Sequence, residues 1–237
     1  MKLKVLLLIL SIGLLSQSCI VNPGEKGNGK IVTQDRSVEP FNGVAATAGI
    51  SVILIPGDKT QVKVEADENL QHLIQTHTEN GVLKIGVSKN IRFARAKKVY
   101  VTYEQLETIS VSSGSSITSD DILKSQKLSL KGSSGGSARL EILSEDLTVV
   151  TSSGADIKLS GKVINLDVKA SSGSDVNAKE LQTVNGVAQA SSGGSVKVNV
   201  KDRISMRASS GGDVTYYGNP QFVESSESRS GNIRKKQ

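Results

Sequence analysis

The sequence is poor in the side chains that most catalytic and nucleic-acid-binding sites use. Its 237 residues include one Cys, two His and no Trp, and aromatic residues make up 3%. A lone Cys can form neither an internal disulfide nor a Cys-based zinc site. So few aromatic residues argue against a protein that stacks nucleic-acid bases. His72 and His77 are five residues apart, whereas a helical metal pair needs a spacing of four, so we expect two surface residues and no cofactor.

The formal net charge of +6 is carried by the two ends of the chain. Residues 1–18 contain two Lys, residues 229–237 contain four basic side chains, and neither stretch contains an acid. The residues between them are formally neutral. A basic face for nucleic acid is therefore not predicted. The basic residues 234–236 are expected to cap the open end of the fold, because Lys on an exposed strand edge deters pairing with another chain.

The amino terminus has the pattern of an export signal. Two Lys are followed by an apolar core, Val5–Leu15, that is too short for the roughly 20 residues of a bilayer span. Small polar residues then lead to Cys19. Residues 1–18 resemble a bacterial lipoprotein signal, which implies that Cys19 is acylated and anchors the protein in a membrane. The alternative is an ordinary signal peptide with an incidental Cys. Residues 19–30 are rich in Gly and Asn and are expected to form a flexible tether.

Two kinds of β pattern follow. Residues 31–105 alternate apolar and polar side chains in short runs, which predicts strands in an N-terminal β segment. One interruption, residues 67–75, has apolar residues at helical spacing behind Asp67, so we expect a single helical turn with Asp67 as its N-cap.

Residues 106–237 are dominated by an internal repeat of 19–20 residues. Each unit contains Ser-Ser-Gly followed, three residues after the Gly, by an aliphatic residue; the last copy is degenerate. The corner glycines are Gly114, Gly135, Gly154, Gly173, Gly193, Gly211 and Gly231. The aliphatic positions are Ile117, Ala138, Ile157, Val176, Val196, Val214 and Ile233.

This repeat predicts the fold. The period suits one rung of a parallel β-solenoid and is too short for a βαβ unit. We therefore expect an all-β, right-handed, parallel β-helix-like solenoid of about seven rungs, with residues 31–105 stacked on it in one continuous domain. Gly supplies the positive φ that a corner needs, and equivalent Ser hydroxyls are expected to form ladders along the axis.

The mature chain resembles the putative auto-transporter adhesin, head GIN domain family. The resemblance rests on the opening 41–44 (FNGV), on 52–65 running into 67–70 (DENL), and on the serial repeats that end at 230–233 (SGNI), and it covers roughly residues 38–235. It implies a β-helix-like fold and an adhesin-type role, with no established ligand.

Few residues suggest chemistry. Asp156 and Asp175 occupy the same position in consecutive rungs, so they are weak candidates for a cation site, although hydrogen bonding to the corner backbone is the simpler interpretation. The segment 132–136 matches the Gly-x-Ser-x-Gly nucleophile pattern, but no His follows His77 to act as its base. We therefore predict no catalytic residue.

Three functions stay open. The first is a lipid-anchored, monomeric envelope protein that presents a polar face to a glycan or a protein. The second is a structural or accessory outer-membrane lipoprotein that faces the periplasm and has no external ligand. The third, least favoured, is a polysaccharide-active enzyme. Both the periplasmic and the surface-facing orientation are compatible with the sequence.

Overall fold

The structure, a computed structural model, describes residues 24–236. Strands account for 66% of it and helix for 3%, which confirms the all-β prediction. Among the described residues, no helix is long and apolar enough to cross a membrane.

The first nine strands, in chain order, are β1 (Glu25–Lys26), β2 (Ile31–Arg36), β3 (Gly43–Ala46), β4 (Ser51–Pro56), β5 (Gln61–Asp67), β6 (Ile74–Glu79), β7 (Val82–Val87), β8 (Ile91–Phe93) and β9 (Lys97–Tyr103). The remaining strands are β10 (Thr108–Val111), β11 (Ser116–Ser119), β12 (Leu123–Gly132), β13 (Ser137–Thr151), β14 (Asp156–Ala170), β15 (Asp175–Ala190), β16 (Ser195–Ala208), β17 (Asp213–Tyr217), β18 (Phe222–Glu227) and β19 (Asn232–Lys235).

The repeat region is a β-solenoid of about seven turns, as predicted. Each strand from β12 to β16 pairs in parallel with its neighbour, so equivalent residues of successive repeats lie side by side. The aliphatic position forms one continuous ladder from Ile117 to Ile233. From Ile117 to Val214 its side chains are at most 4% exposed. The hydrophobic effect therefore favours the same register that the backbone hydrogen bonds select.

The N-terminal segment supplies a rung of its own, inserted into the stack. β3 pairs in parallel with β7 on one side and β10 on the other, and β4 lies likewise between β9 and β11. Its corner is Thr47-Ala48-Gly49, where Ala48 and Gly49 have φ of 61° and 67°. The sequence repeat did not reveal this corner, because it lacks Ser-Ser and the chain builds another rung before continuing the stack.

Antiparallel strands close this end of the solenoid. β5 pairs with β9 and β2, β6 pairs with β7, and a 3₁₀ helix, Glu68–Leu73, buries Leu70 and Leu73 between them. The helical turn is thus confirmed. The flexible tether is wrong for residues 24–30: β1 pairs with β8, and Lys30 Nζ lies 2.7 Å from Glu68 Oε1.

Asp67 connects the segments at this end of the solenoid, but it does not act as the predicted N-cap. Its side chain makes no capping hydrogen bond to the 3₁₀ helix. The residue is fully buried, and its carboxylate accepts hydrogen bonds from the backbone amides of Gly29, Arg95 and Ala96 at 2.6–3.1 Å. Burial on its own would raise the pKa of Asp67, but these amides outweigh it and hold the pKa below its ordinary value.

Each Ser-Ser-Gly corner places two consecutive residues in the left-handed region. The second Ser has φ of 49–52° and the Gly has φ of 70–76° in the six full copies. The amide after the Gly donates to the carbonyl of the first Ser, which closes a turn of the type I′ kind. The Gly amide donates to the next rung, for example Gly173 N to Ser192 O at 3.2 Å, whereas the first Ser donates to the previous rung. Corners are therefore joined through backbone amides, rather than through the predicted hydroxyl ladders.

The last rung differs from the others. The sequence predicts Gly231 as a corner glycine, but Asn232 pairs with Asp213, so Gly231 aligns with Gly212 and has no positive φ. Ser225 and Glu227 occupy inward positions beside Met206 and Ala208, and Glu227 Oε2 accepts a hydrogen bond from Ile233 N at 3.0 Å. Polar side chains thus take two of the inward positions where the stack ends, beside the apolar Val223 and Ile233.

The corner glycines are needed for their backbone conformation. A Cβ added to Gly173 would meet no atom within 4 Å, so Gly173→Ala should cost only the left-handed strain of about 1–2 kcal/mol. Gly173→Asn should cost less, although Asn is larger, because Asn tolerates this region. Urea unfolding of both variants checks this. An Asn variant less stable than the Ala variant would mean that space, not φ, selects Gly.

The hydrogen bonds to Asp67 should make the free energy of unfolding depend on pH in the acid range. A lowered folded-state pKa contributes stability that is full above the unfolded value, about 3.9, and is lost as the pH falls through the folded pKa. We expect Asp67→Asn to cost about 1–3 kcal/mol at pH 7 and to flatten the acid limb of the stability profile. The exposed Asp58→Asn is the control. Parallel acid limbs for Asp67→Asn and the wild type would contradict this role.

Candidate functional site

A groove of about 1400 Å³ runs along one face of the solenoid. Two outward-facing ladders form most of it. The first, which we call the amide row, consists of Lys127, Asp146, Asn165, Asn185, Arg203 and Phe222. The second, the mixed row, consists of Thr108, Ser129, Thr148, Asp167, Val187, Ser205 and Glu224.

Strand alternation places both rows on the surface. Between them lies an inward position that is filled by Leu128, Leu147 and Leu166, and later by Gly186 and Ile204. Residues on either side of an inward residue must point outward, since successive side chains alternate between the two faces of a strand. The parallel register then stacks them about 4.8 Å apart.

The amide row is held in place by its own side chains. Asn185 Nδ2 donates to Asn165 Oδ1 at 3.0 Å, and Asn165 Nδ2 donates to Asp146 Oδ1 at 2.9 Å. Lys127 Nζ lies 3.8 Å from the other oxygen of Asp146. At the far end, the Arg203 guanidinium lies 4.7 Å from the centre of the Phe222 ring. The four central members, Asp146, Asn165, Asn185 and Arg203, therefore form a strip of planar polar groups between Lys127 and Phe222.

Two serines fix the backbone beneath the start of this row. The Ser144 hydroxyl is 7% exposed and lies 2.9 Å from Asp146 O and 3.2 Å from Gln126 O. Ser125 makes the equivalent contact with Lys127 O at 2.9 Å. Each hydroxyl shares one proton between two carbonyls, so it holds the backbone at the gap in strand pairing, Gln126 and Glu145, that precedes the row.

Asp167, in the middle of the mixed row, has unused hydrogen-bonding capacity. Its side chain is 42% exposed, and its Oδ2 lies 3.7 Å from Lys169 Nζ. Its Oδ1 is buried and accepts no hydrogen bond. Because that oxygen is shut off from solvent, a ligand can reach the carboxylate only through the exposed part of the side chain.

The residues singled out from sequence lie elsewhere. Asp156 and Asp175 are directly paired on β14 and β15, but neither lines the groove. Asp175 lies 3.9 Å from Lys197 Nζ, and nowhere in residues 24–236 do three or more metal-ligating side chains gather. His72 and His77 are exposed beside the antiparallel end. Cys19 lies outside the described residues.

The corner glycines also lie outside the groove lining. Sequence reasoning followed the inward positions and the corners and missed both outward rows. A signal was present: Asn165 and Asn185 are 20 residues apart, as the repeat requires. Carrying the period to the outward positions would have placed these two Asn side by side.

Solved structures share this architecture. A putative adhesin from Bacteroides fragilis NCTC 9343 is 22% identical, with a TM-score of 0.81 over 90% of this chain and 100% of that one. A putative lipid binding protein from Parabacteroides distasonis ATCC 8503 is 17% identical, with a TM-score of 0.69 over 90% and 99%. A putative adhesin from Parabacteroides merdae ATCC 43184 is 16% identical, with a TM-score of 0.64 over 90% and 99%. At these identities the likeness shows the fold.

No curated protein matches the chain. The family described as "Putative auto-transporter adhesin, head GIN domain" matches residues 40–220, which include the N-terminal rung, the antiparallel end and most of the solenoid. The chain belongs to this family.

Proposed function

We propose that this protein is an exported, lipid-anchored binding protein of the bacterial envelope, with an adhesin-type role and no catalytic activity. The observation that carries the proposal is the groove, which spans successive rungs of the solenoid. Membership in an adhesin family supports the same role. Cys19 would hold the lipid, and the solenoid would present the groove to its ligand.

The groove favours binding over catalysis. Its central polar groups are fixed by one another and by backbone hydrogen bonds, as in a surface prepared to receive a partner. No histidine is found among its lining residues.

A structural role is the second candidate. No acidic cluster follows Cys19, only Glu25, so the sequence does not clearly signal transfer to the cell surface. A lipid ligand is less well supported, although one structural neighbour is described as a putative lipid binding protein. The groove is open and crossed by charged side chains, whereas an acyl chain needs an enclosed apolar site.

The lipid anchor is tested by Cys19→Ser. The variant should move from the membrane fraction to the soluble fraction, because it lacks the acylated thiol that supplies the buried methylene groups. Fractionation with immunodetection measures this, and replacing the neighbouring Ser18 by Ala is the matched control. A Cys19→Ser protein that stays in the membrane fraction would contradict lipid anchoring.

Orientation is tested by protease treatment of intact cells. An adhesin-type protein should be cleaved on intact cells as efficiently as in lysates, since its groove must face outward. A periplasmic protein that stays uncleaved in the same cells controls for envelope integrity. Full protection on intact cells would reject the adhesin role and favour the structural candidate.

A further inference from the structure

We propose that the groove binds an extended, uncharged polysaccharide chain that lies along the solenoid axis. This inference deepens the proposed function and rests on it.

The ligand should be a polymer because the site is itself a repeat. The mixed row from Ser129 to Glu224 offers a side chain at each of six rungs, over roughly 24 Å at about 4.8 Å per rung. The amide row runs parallel to it over a similar length. A linear chain can contact both rows at successive rungs, whereas a single small molecule would use only a fraction of them.

The charge of the groove favours an uncharged chain. Four acidic side chains line it, Glu107, Asp146, Asp167 and Glu224, against three basic ones, Lys124, Lys127 and Arg203. The two signs are interspersed along the axis. A polyanion such as a nucleic acid or a uronic-acid polymer would meet Asp146 and Asp167 in the middle of the groove, where like charges repel.

The hydrogen-bonding groups match a hydroxyl-rich partner. The Asp167 side chain is 42% exposed, so its carboxylate can accept hydroxyl protons from a ligand in the groove. Thr148, its neighbour in the row, and Ser129, one rung further along, can donate or accept. The Oδ1 of Asn185 receives no hydrogen bond from any described residue. Sugar hydroxyls both donate and accept hydrogen bonds. The hydroxyls of a polysaccharide can therefore pair with this mixed set of groups along the whole length of the groove.

Apolar surface lies beside these polar groups. The Phe222 side chain is 56% exposed and is held against Arg203, and Val187 is 38% exposed in the mixed row. Exposed aromatic and aliphatic surface next to hydrogen-bonding groups suits a sugar ring, whose C–H face is apolar and whose edge is polar. An extended peptide would instead need a free strand edge, but β13, β14 and β15 are each paired on both sides.

The test is calorimetric titration of the delipidated domain with neutral linear oligosaccharides. The probes are glucose, mannose and N-acetylglucosamine oligomers of two to eight sugars, alongside polygalacturonate and vesicles of phosphatidylglycerol. We expect at least one neutral series to bind, with affinity that rises with length until the groove is filled. We expect polygalacturonate and the vesicles not to compete.

Two matched pairs of variants locate the site. Asp167→Ala should weaken binding about tenfold. The control, Asp175→Ala, removes an Asp with a similar Lys contact on another face and should not change the affinity. Phe222→Ala should also weaken binding, whereas Phe93→Ala, which removes a ring 59% exposed at the other end, should not. Circular dichroism checks that all four variants fold.

Several results would overturn the inference. If no neutral oligosaccharide binds, the proposed ligand class is rejected. It is also rejected if only polygalacturonate or the vesicles bind. Equal losses in Asp167→Ala and Asp175→Ala would reject the groove as the site. None of these outcomes bears on membrane anchoring or orientation, so the proposed function fails or survives by its own experiments.

Discussion

The structure depends on backbone hydrogen bonds that run along the axis through every corner. In a parallel solenoid the strands join neighbouring rungs automatically, but a corner breaks the strand pattern and leaves its amides without partners. Two consecutive left-handed residues solve this problem, because they turn the Gly amide toward the next rung while the first Ser donates to the previous one. Corners therefore add to the stack instead of interrupting it.

Register follows from these corners, and the groove follows from register. With each Ser-Ser-Gly aligned to the next, the inward aliphatic ladder and the outward rows are fixed together. A slip of one residue would bury Asp167 and expose Val168. Ser125, Ser144 and the amide row then order a surface that the sheet has already placed. The two ends of the solenoid differ. At one end Asp67 accepts hydrogen bonds from loop amides, and at the other end polar side chains take inward positions.

Prediction from sequence succeeded where one local signal repeats. Ile117, Ala138, Ile157 and their successors mark the core in every rung, so the solenoid was visible without a structure. Prediction failed where the role of a single residue depends on partners that are distant in the sequence. Asp67 has the local pattern of an N-cap, yet its partners lie 28–38 residues away. Gly231 has Ser-Gly before an aliphatic, but strand pairing shifts it by one position. The inserted rung at Ala48 was hidden because topology, not sequence order, places it in the stack. The outward rows were overlooked because their residue types vary from rung to rung.

The reversed direction of the corner amides joins each rung to the next, and amide hydrogen exchange measures this at every corner. Gly154, Gly173 and Gly193 donate to the next rung, whereas the amides of Ser153, Ser172 and Ser192, one residue earlier, donate to no described backbone carbonyl. NMR should therefore find slow exchange at these glycines and fast exchange at the adjacent serines, although all six residues are exposed. Equally fast exchange at both positions would show that the corners do not hold the rungs together.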